Sequence, residues 1–127
     1  MLLQVFSAKP LAEIEHGLRE AAARHQFGII AVHDLKETLA KKGVNLAQDC
    51  RVYEVCNPHQ AKKVLDADGA ISTALPCRIS VYGKPGHYTL ATIRPTEMMR
   101  AFPEASVQAV AHEVEQVVAA MINQAAS

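Results

Sequence analysis

The chain has 127 residues, half of them hydrophobic, and its 13 basic and 13 acidic side chains give no net charge. This length predicts a single domain over residues 1–127, and the hydrophobic fraction argues against disorder. Because phosphate binding needs an excess of basic residues, the charge balance predicts that neither nucleic acid nor an anionic membrane surface is a partner.

The first half of the chain carries strand and helix patterns in alternation. The predicted elements are a strand over 2–6, a helix from Pro10, a strand over 29–32, one polar helical turn or a loop over 38–42 and a strand over 50–56. Proline is suited to the first position of a helix, and Gly28 is expected to end this helix in the left-handed conformation.

The second half begins with Asn57-Pro58, a typical helix start. Its predicted elements are a short helix with Ala61, Val64 and Leu65 on one face, strands over 78–82 and 87–93 around a turn at 83–86, a helix over 97–102 capped by Thr96, and a last helix from Glu104 or Ser106. These hairpins and short helices predict an α+β domain with a largely antiparallel sheet and helices packed on one face.

The last helix has the strongest periodic signal. Its apolar residues are spaced three and four apart at Val107, Val110, Val114, Val117 and Met121. This stripe predicts a helix that packs on the sheet, and the alternative is a seam between two copies of the chain.

Several motifs that mark enzymes are missing. The sequence has no glycine-rich nucleotide loop, no Cys-x-x-Cys pair, no nucleophile elbow and no His-Glu-x-x-His. We therefore do not expect a hydrolytic or nucleotide-dependent enzyme, and the absent motifs favour a protein without catalytic activity. The N-terminus lacks the pattern of an export signal, and an odd count of three cysteines is typical of a reducing compartment, so a cytoplasmic location is expected.

Cys56 has an unusual place, directly before the Asn57-Pro58 helix start. Up to four unpaired backbone N–H groups and the positive end of the helix dipole would stabilise a thiolate there. Cys56 is therefore expected to be the most reactive of the three thiols. The alternative is that it is only the buried last residue of a strand.

Cys77 begins a strand after Leu75-Pro76 and shares a face with Ile79 and Val81. That face has a buried pattern, so desolvation should raise the pKa of the Cys77 thiol. Arg78 lies on the opposite face, where it either pairs with an anion or is solvated. Cys50 lies six residues before Cys56 on one strand, about 20 Å away, and is expected to be structural.

Cys56 ends one strand and Cys77 begins another, so the two meet only if these strands are antiparallel or the connection over 70–76 crosses back. His59, three residues after Cys56, could join them as a third ligand of a soft metal, or it is an ordinary surface residue. Glu54 shares the face of Cys56, and its spacing alone leaves open whether that face is buried or exposed.

The motifs Val55-Cys56-Asn57-Pro58 and Leu75-Pro76-Cys77 resemble those of the domain-of-unknown-function 302 family, and the resemblance covers nearly the whole chain. Family members often carry Asn where this chain has Arg78. The resemblance implies a small α+β fold similar to the TATA-binding-protein architecture of β-α-β-β units, usually dimeric, without implying DNA binding. It also implies that Cys56 and Cys77 matter together.

Three functions remain open. The first is a thiol-dependent binding, redox or sulfur-carrying module that uses Cys56 with Cys77, beside Asn57 and Arg78. The second is a soft-metal or haem-binding accessory protein that uses Cys56, His59 and Cys77, or Met98 and Met99. The third is an architectural dimerisation or interaction module. The hydrophobic fraction and the family resemblance together predict a homodimer.

Overall fold

The computed structural model describes residues 1–127 and places five strands in one sheet. The strands are β1 (Leu2–Ser7), β2 (Gly28–Asp34), β3 (Asp49–Cys56), β4 (Cys77–Lys84) and β5 (His87–Ile93). The helices are α1 (Leu11–Arg24), α2 (Leu35–Ala40), α3 (Pro58–Ala67), α4 (Pro95–Met98) and α5 (Ala105–Ala126), with a 3₁₀ segment over Gly69–Ala74.

Every strand pairs antiparallel with its neighbours, in the order β1-β5-β4-β3-β2. The predicted α+β class and antiparallel sheet are confirmed. In chain order, β1, α1, β2, α2 and β3 form one unit, and β3, α3, β4 and β5 form a second that shares β3 with the first. The chain begins at one edge of the sheet and reaches the other edge through α1, so β1 pairs with the last strand.

The core lies between one face of the sheet and the two long helices. Fully buried core residues of α1 include Ile14 and Leu18, and α5 adds Val107, Val118 and Met121. The prediction that the apolar stripe of α5 packs within the chain's own core is confirmed, and this burial leaves no such stripe on α5 for a seam between two copies. No helix in the structure is long and apolar enough to cross a lipid bilayer.

The other face of the sheet carries no helix and is called the open face below. Alternation along the strands places on it one side chain in two from each strand. It consists of Leu2, Gln4, Phe6, His87, Thr89, Ala91, Ile93, Arg78, Ser80, Tyr82, Lys84, Cys50, Val52, Glu54, Ala31 and His33.

The end of α1 differs from the prediction. The helix ends at Arg24, and Gln26 rather than Gly28 takes the left-handed conformation, with φ 62°. The backbone N–H of Phe27 donates to the carbonyl of Ala22 at 2.8 Å, which closes the helix end as a glycine-type cap does. Gly28 is instead the first residue of β2.

Two short helices begin earlier than the sequence patterns predicted. Of the two alternatives for 38–42, a polar helical turn or a loop, the structure has the helix, but this helix begins at Leu35, because the side chain of Asp34 accepts a hydrogen bond from the N–H of Glu37. The helix expected over 97–102 is α4, which begins at Pro95 and ends at Met98. Thr96 therefore lies inside that helix and does not cap it.

The β4–β5 hairpin is confirmed. Lys84 pairs with His87 across a two-residue turn. Gly83 has φ 137°, and a Cβ atom at this position would lie 2.1 Å from the carbonyl oxygen of His87. Only glycine fits there, so the hairpin depends on this residue.

Candidate functional site

Antiparallel pairing brings the ends of the two cysteine motifs together. Val55 of β3 lies directly opposite Cys77 of β4, so Cys56, the last residue of β3, is next to this pair. The sequence argument required antiparallel strands for Cys56 and Cys77 to meet, and the structure supplies them. All three cysteines are free and partly exposed.

Cys56 and Cys77 border one small cavity of about 40 Å³ on the helix side of the sheet. Its other walls come from α3, from Pro95 and Met99 near α4, and from α5. The lining is mostly apolar, with Phe27, Val64, Val110 and Val114 among the residues. The cavity is large enough for about one small molecule or ion, and it offers few groups that donate hydrogen bonds.

Burial raises the pKa of the Cys77 thiol to about 11, and the proximity of a second thiol, that of Cys56, adds to the shift. The expectation that desolvation would raise this pKa is confirmed. Cys77 is therefore a neutral thiol at physiological pH, and it would lose its proton only to a ligand that replaces it.

Asn57 holds the first turn of α3, as its position predicted. Its side-chain oxygen accepts hydrogen bonds from the N–H groups of His59 at 3.0 Å and Gln60 at 3.2 Å, and its carbonyl accepts from Ala61. Pro58 has no N–H to offer. The expectation of up to four free N–H groups beside Cys56 is therefore wrong, because the Asn57 cap accepts hydrogen bonds from the N–H groups of the first turn.

The sequence analysis did not identify Gln60 as a site residue. Its side-chain amide oxygen is buried in the structure. The amide nitrogen donates to Glu113 of α5 at 2.8 Å, which fixes which way the amide faces. The amide oxygen Oε1 is then buried and has no hydrogen-bond partner. Gln60 lines the cavity, so the site contains an unused acceptor. The only sequence signal was its position three residues after the cap.

Met99 lines the same wall and is 5% exposed. It directly follows α4, whose position is held by Glu115 of α5. The Glu115 carboxylate accepts from the backbone N–H of Thr96 at 3.2 Å and from its hydroxyl at 2.6 Å. Burial acts against it, but the Thr96 hydrogen bonds and the charge of Arg94 lower the pKa of Glu115. This contact fixes α4 on α5 and Met99 at the cavity.

Two predicted site residues lie outside the cavity. His59 is exposed on the outer side of α3 and does not line the cavity, so the structure does not join it to the two thiols. Arg78 is on the open face, 3.6 Å from the carboxylate of Glu54. Nowhere do three or more His, Cys, Asp or Glu side chains form a group that could hold a metal ion.

Two further expectations are settled by the same geometry. Leu65 is exposed, so the inner face of α3 is carried by Val64 and the partly buried Ala61. Glu54 lies on the open face, where it contacts His33 as well as Arg78. Cys50 is also on the open face, opposite Tyr82 and away from the cavity.

Comparison with known proteins gives consistent results. The family model "Domain of unknown function DUF302" matches residues 3–125. The fold is similar to the crystal structure of an uncharacterized conserved DUF302 protein from Bacillus stearothermophilus, with a TM-score of 0.91 and 24% identity, over 98% of this chain and 97% of that one. No curated protein matches the chain.

Proposed function

The chain belongs to the DUF302 family, and from this premise we propose that it is a thiol-dependent binding module whose Cys56 and Cys77 hold one small, soft ligand. The observation that supports this proposal is the cavity that both cysteines border at the end of β3. The volume of about 40 Å³ limits the ligand to a few atoms at most.

The lining favours a ligand that accepts electron pairs. The lining residues whose side chains can bind such a ligand are Cys56, Cys77, Met99 and Gln60, whose buried amide oxygen has no hydrogen-bond partner. All of these are electron-pair donors once the thiols lose their protons, and none is a positively charged group. Sulfur ligands of this kind select Cu(I) and other soft species.

Binding suits this geometry better than a dithiol–disulfide cycle does. Side chains alternate along β3, so Cys56 and Val55 start out on opposite sides of the strand, and it is Val55 that faces Cys77. A disulfide requires two Cβ atoms directed towards each other, and otherwise the backbone must move. A ligand that enters around the end of β3 can approach both sulfurs, because the sheet stops at Cys56.

The test is anaerobic titration of the reduced protein with Cu(I), followed by thiolate-to-metal charge-transfer absorbance and by proton release. We expect one equivalent to bind and the bound metal to displace thiol protons. Cys56→Ser and Cys77→Ser should each weaken binding at least about tenfold, as loss of a metal ligand does.

Cys50→Ser is the matched control, since Cys50 lies on the open face, and it should bind Cu(I) like the wild type. Binding that survives in the Cys56→Ser/Cys77→Ser double variant, or that depends on Cys50, would contradict the proposal. The two motifs would then have an architectural role, in which the prolines set turns and the cysteines fill space.

We also propose that the protein acts in the cytoplasm as a homodimer. The hydrophobic fraction of 50% in a small chain supports this assembly. Light scattering at high micromolar concentration tests it, and a monomer under those conditions would contradict it.

A further inference from the structure

A second pocket lies beside the start of β4, next to the strand end that carries Cys77. Its volume is about 280 Å³, against about 40 Å³ for the cavity that the two cysteines border. Strand alternation separates the two, because Arg78 is on the open face and Cys77 is on the helix side. This pocket, called the Arg78 pocket below, is lined by Thr73, Ala74, Pro76, Arg78, Ile93 and Met98.

The lining of the Arg78 pocket contains one charged residue. Four of the six lining residues, Ala74, Pro76, Ile93 and Met98, are apolar. The hydroxyl of Thr73 donates its hydrogen to the carbonyl of Ala70 at 2.8 Å, so it has no donor left for a ligand. Arg78 is therefore the lining side chain that can donate hydrogen bonds to a bound molecule.

The guanidinium of Arg78 has unused hydrogen-bonding capacity. Its side chain is 57% exposed, so a solute can reach it. Its Nη2 atom lies 3.6 Å from Oε1 of Glu54, which is longer than a hydrogen bond, and the imidazole of His33 lies 3.4 Å from the same oxygen. A guanidinium has five N–H donors, so most of those of Arg78 remain free for an anion.

The other charged side chains near the pocket have partners of their own. Arg94 lies 3.6 Å from the carboxylate of Glu115, and Glu97 lies 3.2 Å from the guanidinium of Arg100. The segment over 69–77, which forms one wall, contains no charged residue. The charge preference of the pocket consequently depends on its own arginine.

A single arginine beside apolar walls suits a monocarboxylate. The planar guanidinium matches the two oxygens of a carboxylate and can bind both. A phosphate would bring a second negative charge close to Glu54 with no second free cation to balance it. The volume of about 280 Å³ lies just below the range of about 300–1,000 Å³ that is typical of pockets for drug-sized ligands, so the apolar part of the ligand is small.

We propose that the Arg78 pocket binds a small carboxylic acid as its anion. The carboxylate pairs with the guanidinium of Arg78, and the apolar part of the ligand packs against Pro76, Ile93 and Met98. This site goes beyond the proposed thiol site and does not depend on it, because the two share no lining residue.

The experiment is titration of the ¹⁵N-labelled full chain with benzoate, followed by NMR. We expect saturable shifts of the backbone amides within 73–78 and 93–98. Acetate has the charge without the apolar body, and benzamide has the body without the charge. Each should bind at least about tenfold more weakly than benzoate, because acetate buries less apolar surface and benzamide forms no charge-assisted hydrogen bond. Inorganic phosphate should also bind at least about tenfold more weakly.

Two arginine variants assign the binding to one side chain. Arg78→Met keeps an unbranched side chain and should weaken benzoate binding at least about tenfold. Arg100→Met is the matched control, since it removes the same charge close to α4 from a residue that does not line the pocket. It should bind benzoate like the wild type. Circular dichroism checks that both variants are folded.

Three results would overturn the proposal: no saturable binding of benzoate, shifts that lie outside the two segments, or equal affinity of benzoate for Arg78→Met and the wild type. Equal affinities of the wild type for benzoate and benzamide would also overturn it. That comparison needs no variant, so the proposal is tested even if Arg78→Met does not fold. Titration of each arginine variant with Cu(I) reports on the thiol proposal separately.

Discussion

The backbone N–H of Gln60 donates a hydrogen bond to the side-chain oxygen of Asn57 at 3.2 Å. The same contact begins α3 and holds the backbone of Gln60 where its side chain lines the cavity. Asn57, the residue after Cys56, is thus the cap of α3. Its side-chain oxygen accepts hydrogen bonds from backbone N–H groups that would otherwise be free beside the Cys56 thiol. We therefore expect the reactivity of the Cys56 thiol to depend on the groups of the cavity more than on unpaired N–H groups at the start of α3.

Replacement of Asn57 by Ala should destabilise the protein by about 1 kcal/mol, because two N–H groups of α3 lose their acceptor. Asn57→Asp keeps an oxygen in place and should retain most of the stability. Urea unfolding followed by circular dichroism measures both variants. Equal stabilities for Asn57→Ala and the wild type would show that the cap does not stabilise α3.

In the native protein at neutral pH, iodoacetamide should label Cys77 more slowly than Cys56, because burial raises the pKa of the Cys77 thiol. A pKa of about 11 instead of 9 lowers the thiolate fraction of Cys77 roughly a hundredfold. The labelling rate of Cys77 should therefore keep rising well above pH 9. Timed alkylation with mass spectrometry of each cysteine peptide measures these rates. Labelling of Cys77 at least as fast as Cys56, or labelling of Cys56 only on unfolding, would contradict the thiol proposal.

The protein should lose stability at alkaline pH through Tyr53. This side chain is fully buried and its hydroxyl donates to Glu15 at 2.9 Å. Burial and this hydrogen bond raise the pKa of Tyr53 to about 12, from 10 in the unfolded chain. The folded state holds the proton more tightly, so this stabilisation is complete below pH 10 and is lost as the pH rises towards 12.

Urea unfolding between pH 9 and about 11.5 tests this dependence. The free energy of unfolding should fall by at most about 2.7 kcal/mol from this group, the equivalent of two pKa units. In Tyr53→Phe the fall should be smaller, since the variant has no phenol to ionise at that position. An identical pH dependence in the variant and the wild type would exclude Tyr53 as a cause.

Gly83→Ala should destabilise the hairpin by about 2–3 kcal/mol, because the new Cβ atom would meet the carbonyl oxygen of His87 at 2.1 Å in a backbone with φ 137°. Gly69→Ala is the matched control, since a Cβ at Gly69 meets nothing within 4 Å and its φ is not positive. Thermal unfolding compares the two variants. Similar melting temperatures for both would show that the hairpin tolerates a side chain at Gly83.

Local patterns predicted most elements of this fold correctly. The alternation in Cys77, Ile79 and Val81 indicated the buried face of β4, and the stripe from Val107 to Met121 indicated the docked face of α5. Both signals depend only on residues within one element. The predictions failed at two helix ends. The start of α4 is held by Glu115, a residue of a different helix, and α1 ends with Gln26 in the left-handed conformation that glycine usually adopts.

The sequence by itself determined the family, the α+β class, the antiparallel hairpin and the burial of Cys77, because turn chemistry and side-chain periodicity are local properties. Only the tertiary structure decided that Glu54 faces outward, that Arg78 and His59 lie outside the cavity, and that Gln60 and Met99 line it. Periodicity tells which residues share a face but not which face is covered. The groups of the cavity come from segments far apart in the chain, and only the packing of α3, α4 and α5 on the sheet brings them together.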